Sequence, residues 1–92
     1  MNIHAISSEN VTISHWFPFV YNSTPGTALI EIAQNGRWHI PEICIMERRK
    51  LINADADLFP RIHSHLLRYH DTALAIFIVS RGGVIHDRER TS

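Results

Sequence analysis

Ninety-two residues, 45% apolar and 20% charged, suffice for one hydrophobic core and leave no room for a second. Nine lysines and arginines balance nine aspartates and glutamates, which removes the net basic field that supplies most of a nucleic-acid binder's affinity. Cys44 is the only cysteine, so an internal disulfide framework and a cysteine-based zinc site are excluded.

Met1 to Ser8 lack the basic start and continuous apolar run of a signal peptide. No stretch approaches the roughly 20 apolar residues that a membrane span needs. The expected compartment is therefore the cytoplasm, with no membrane partner. The expected organisation is one compact domain over residues 1–86, followed by a flexible hydrophilic tail over 87–92.

In chain order, "NVTISHWFPFVY" (10–21) is rich in β-branched and aromatic residues and reads as extended. Pro18 cannot donate to a ladder, so this segment is an edge strand or two short extended pieces. "NSTPG" (22–26) predicts a turn, with Pro25 fixing its own φ and Gly26 accepting a positive one. "TALIEIAQNGRWHI" (27–40) reads as two strands joined by a two-residue turn at Asn35-Gly36. That register pairs Gln34 with Arg37, Ala33 with Trp38 and Ile32 with His39.

"PEICIMERRKLIN" (41–53) is ambiguous, because Ile43 to Met46 would also suit a buried strand. Its ends favour a short helix: Pro41 and Glu42 at the start, Arg48-Arg49-Lys50 at the close, and Asn53 as a stop. From Leu58 onward one helical period runs to about residue 80. Leu58, Phe59, Leu66, Tyr69, Ala73, Ile76 and Phe77 all fall within roughly 60° of Ile62 at 100° per residue. Asp57 is placed to cap this helix, and Gly82-Gly83 to stop it. The rival reading breaks the helix at His70-Asp71 and makes "ALAIFIVS" (73–80) a strand, on the strength of its β-branched residues. The predicted fold is α+β: a small antiparallel sheet packed against a short helix and a long C-terminal amphipathic helix.

Seven histidines are unusual for this length, and three of them lie in "RIHSHLLRYHD" (61–71). On a helix, His63 and His65 point about 200° apart, and His63 and His70 lie about 10.5 Å apart along the axis. Zinc–nitrogen bonds near 2.1 Å need closer ligands, so no metal site is expected here. Only a strand would put His63 and His65 on one face. No serine sits in a glycine-flanked elbow, Cys44 lies in an apolar run, and no phosphate-binding glycine loop occurs. No catalytic residue and no cofactor are expected, and the favoured reading is not an enzyme; a metal-dependent enzyme using the histidines stands as the second alternative, behind a small DNA-binding regulator.

Two surfaces remain. Arg48, Arg49 and Lys50 form the only cationic cluster; their plain role is to complement a helix dipole, and their sharper one is to contact DNA phosphate in a small regulator. The favoured surface is the apolar stripe with its histidine margin: Leu58, Phe59, Ile62, His63, Leu66, Tyr69, His70, Ala73 and Phe77. The expectation is a regulator or inhibitor that forms a homodimer and binds a second protein. Size and lack of chemical motifs are similar in style to small accessory proteins of phages and other mobile elements.

Overall fold

The computed structural model describes residues 12–85. Among them, four strands form one antiparallel meander in the order β1-β2-β3-β4. The strands are β1 Thr12–Tyr21, β2 Thr24–Ala33, β3 Trp38–Glu47 and β4 Lys50–Asn53. Two helices follow, α1 Leu58–Tyr69 and α2 Asp71–Val79. The α+β class and the antiparallel sheet are as expected. The expected tail over 87–92 lies outside the described residues.

Strand alternation explains β2 directly. Ala28, Ile30 and Ile32 are buried, while Leu29, Glu31 and Ala33 between them face the other side. Phe17 and Phe19 of β1 and Ile40, Ile43 and Ile45 of β3 extend the inward face. Ile62, Leu66, Leu74 and Ile78 from the helices close the same core. The helical layer therefore covers one face of the sheet.

The turns differ from expectation. Asn22 and Ser23, with φ of 51° and 65°, make the β1–β2 connection, and Pro25 and Gly26 lie inside β2. At the β2–β3 hairpin the register is one residue away from that expected: Ile32 pairs with Trp38 and Glu31 with His39. The loop holds three residues, with Gly36 N–H donating to Ala33 C=O at 2.9 Å and Gly36 at φ 92°. This is a type I turn closed by a glycine bulge, the second common hairpin solution. A slip of one residue exchanges faces, and the observed register turns Trp38 inward beside Ile32. Gly36 is required twice, since a Cβ there would also meet Val84 Cγ2 at 2.5 Å.

The predicted short helix over 41–52 is a β-hairpin instead. Between Leu29 and Glu31 of β2 the pairing with β3 shifts by one residue, placing Ile40 and Pro41 opposite Ile30 alone. Such a bulge suits Pro41, which has no N–H to give the ladder. It also sets the inward residues Ile40 and Ile43 three apart, a spacing that imitates a helical face. Arg48 and Arg49 form the two-residue turn that follows, at φ 52° and 69°.

The long helix is corrected as well: it divides at His70, whose φ of −120° and ψ of 21° leave the helical region. Along a straight helix Leu74 and Ile78 would sit about 120° and 160° away from Ile62. Both are buried with Ile62 and Leu66 in one core, so the phase must be reset between the pairs. The cap also moves. Asp57 makes no side-chain cap bond; Asp55 Oδ1 accepts from Asp57 N–H at 3.0 Å and Leu58 N–H at 2.8 Å. The glycine stop is present: Gly82 N–H donates to Val79 C=O and Gly83 N–H to Ile78 C=O, with Gly82 at φ 94°.

Two outcomes follow. Replacing Arg48-Arg49 by Asn-Gly removes two side chains from the left-handed region and should stabilise the fold by about 1 kcal/mol, read as a higher urea midpoint. Asp55→Ala should lose about 1 kcal/mol in the same assay, whereas Asp57→Ala stays within about 0.5 kcal/mol of wild type.

Candidate functional site

The histidine segment is resolved by which ring meets which neighbour. His63 stacks on Phe59, centroids 5.8 Å apart at 24°. His65 turns the other way, edge-on to Tyr21 at 5.0 Å, with Tyr69 at 5.2 Å and His70 at 5.1 Å. The break after Tyr69 is what folds His70 back towards His65. Nε2 of His65 is buried without a hydrogen-bond partner among the described residues. Two rings fill only half of a tetrahedral ion's positions, and no group of three or more His, Cys, Asp or Glu among the described residues is placed to hold a metal.

Burial holds the His63 pKa below its ordinary 6.5. An imidazole whose pKa is lowered on folding favours the neutral form in the native state, so the unfolded chain binds more protons in acid. The stability it contributes is present above pH 6.5 and is lost as pH falls from there through the lowered value. Comparison of urea unfolding at pH 7.5 and 5.5 should show a smaller acid loss in His63→Gln than in wild type.

Cys44 is buried on the sheet face away from the helices, with Sγ 3.2 Å from Asn53 Oδ1. Burial, and then the neighbouring Glu42 carboxylate, raise its pKa, so it remains a thiol. Arg48, Arg49 and Lys50 stand at the β3–β4 hairpin tip rather than at a helix end. Among the described residues no helix begins beside them that would enter a groove of DNA.

The expected apolar stripe is divided between core and surface. Ile62 and Leu66 have no exposed surface, and Leu58, Phe59 and Phe77 pack against the same core. Phe77 meets Phe17 edge-on at 5.1 Å and lies under the Arg81 guanidinium at 3.7 Å. His63 and His70 are half-buried. Tyr69, at 68% exposure, and Ala73 face solvent.

The exposed apolar residues of the helical layer lie elsewhere. In α2, "DTALAIFIV", only Leu74 and Ile78 are buried; Ile76 is 65% exposed and Val79 56%. These two, with Leu67, Leu74, Trp38 and Val84, line an open groove of about 1120 Å³ with Arg37 and Asp71 on its walls. A helix apolar on every side is normally enclosed on every side. The clue available in sequence was that residues 73–79 carry no polar side chain at all.

No helix among the described residues is long and apolar enough to cross a membrane. Comparison with protein families, with characterised proteins and with solved structures finds no match to this chain.

Proposed function

We propose that this chain is a non-enzymatic interaction module, a regulator or inhibitor that acts by holding another protein against its helical layer. The observation that carries the reading is α2: apolar around its whole circumference, covered on one side, and bordered by a groove. The groove is larger than the roughly 300–1,000 Å³ of a small-molecule pocket and is open along its length, which suits a segment of chain. The occupant we assign is an amphipathic helix of the partner, seated between Leu67, Ile76, Val79 and Val84, in the helix-in-groove mode. Arg37 and Asp71 give such a helix one charge of each sign to match.

Ile76→Glu and Val79→Glu change exposed side chains and should leave the far-ultraviolet circular dichroism of the fold intact. Proteins retained from host extract by the wild type should be lost with both variants and kept by Leu51→Glu on the opposite sheet face. Equal capture by all four proteins would remove the groove from the account. Retention of duplex DNA with a steep inverse dependence on salt would favour the phosphate-contacting alternative at Arg48–Lys50.

A further inference from the structure

The helical layer covers one face of the sheet, and the other face is not a polar one. Its residues fall into cross-strand rows. Val20 and Pro25 pair in one row, which Met46 and Leu51 continue across β3 and β4. Pro18, Thr27, Cys44 and Asn53 make the next, and Trp16, Leu29 and Glu42 the third. Ser14, Glu31 and His39 make the fourth, where Glu31 Oε1 and His39 Nε2 lie 3.3 Å apart. The first row is wholly apolar, and Pro18, Cys44, Trp16 and Leu29 extend it, with Trp16 48% exposed, Val20 55% and Leu51 51%. An antiparallel sheet with one solvated face ordinarily alternates apolar-in with polar-out. Here the outward positions of β1 between Ser14 and Tyr21 are Trp16, Pro18 and Val20.

We infer that this open face is a dimer interface, and that its occupant is the same face of a second copy of this chain. Area decides against smaller partners. Three ten-residue strands about 34 Å long and about 14 Å wide together, with the four-residue β4 beside them, give a face on the order of 550 Å². A single helix about 10 Å across would leave part of that width bare. A second sheet covers it whole, and two such faces bury on the order of 1,100 Å², close to the lower limit of about 1,200 Å² for a specific stable interface. Packed face to face about 10 Å apart, the two copies make a β-sandwich with the helices on its outer sides.

Charge decides the orientation. The acidic side chains of this face, Glu31 and Glu42, lie towards the β2–β3 end, and Arg48-Arg49-Lys50 form a turn at the other end. A two-fold axis lying across the strands through the Pro18–Thr27–Cys44 row reverses one copy end for end. Trp16 of each copy then comes over Val20 of the other, His39 comes over the other copy's Arg48, and Glu31 lies one strand, about 4.8 Å, to the side of that arginine. A two-fold along the strands sets that turn over the neutral Asn22-Ser23 turn and leaves Arg48 and Arg49 without an acidic neighbour. The across-strand arrangement is therefore the one assigned. A contact of this size belongs at the weak end of specific association, with a dissociation constant on the order of 10 µM.

The interface is independent of the groove on α2, so the two can fail separately. Sedimentation velocity of the whole chain from about 1 to 200 µM should show a monomer passing to a dimer within that range. Trp16→Glu combined with Val20→Glu places four carboxylates in the seam and should raise the dissociation constant at least about 100-fold. Leu51→Glu, on a different strand, provides the same reading should the double variant fail to fold, and it should weaken association at least about 10-fold. Ile76→Glu should dimerise as wild type does. The inference is overturned by a wild type that stays monomeric at 200 µM, by face variants that associate undiminished, or by loss of the dimer in Ile76→Glu. A chain that stays monomeric but binds neutral phospholipid vesicles would assign the face to a lipid surface instead.

Discussion

The helical layer has to set Ile62, Leu66, Leu74 and Ile78 on one sheet face, and at 100° per residue no straight helix can do so. Each pair is four residues apart, which is near one turn, but four such steps in succession drift by about 160°. The chain resolves this at one residue, His70. Its backbone leaves the helical region while its N–H still donates to Leu66 C=O and its C=O accepts from Leu74 N–H. Two short helices, each in its own phase, then close one core over the inward face of the sheet. Much of the helical surface chemistry follows from that reset: the pairing of His65 with His70, the exposure of Tyr69, and the outward turn of Ile76 and Val79.

The sheet meets a similar problem of phase. Ile40 and Ile43 must both face inward although their separation is odd, and the bulge at Ile40-Pro41 adds the half-period required. Proline is well suited to that place, because a bulged residue leaves the ladder. Upstream, the glycine-bulge hairpin keeps Ile32 and Trp38 on the same side. The inward face of β3 is therefore continuous in space while interrupted in sequence. The outward face inherits the complementary interruption, with Glu42 and Cys44 standing between His39 and Met46.

The resulting molecule has two layers and therefore two outer surfaces. One is the outer side of the helices, where α2 is apolar beyond what the core uses. The other is the bare side of the sheet, where Trp16, Val20, Leu29 and Leu51 collect. Neither carries a group of three or more metal ligands among the described residues. Apolar area held at the surface by a well-enclosed core is characteristic of association.

The division between what was legible in the residues and what was not follows physical range. Strands β1 and β2, the glycine stop at Gly82-Gly83 and the α+β class were all readable, because alternation, β-branching and left-handed glycine act over a few neighbours. The divergence of His63 and His65 was readable too, being a property of any helix. The β3–β4 hairpin was not: Ile40 and Ile43 carry helical spacing, and only pairing with Leu29 and Glu31 makes that spacing a bulge. Arg48 and Arg49 resembled a helix end because nothing local asks for positive φ there; Glu47 and Lys50 impose it by pairing. The long helix misled for the converse reason. Its stripe through Tyr69, Ala73 and Ile76 was continuous in sequence, but the sheet selected Leu74 and Ile78, and burial of that pair outweighed the unbroken period. Local propensity thus determined that the first part of the chain is extended and the last part helical. Tertiary packing decided their register, their phase and which apolar residues were left outside.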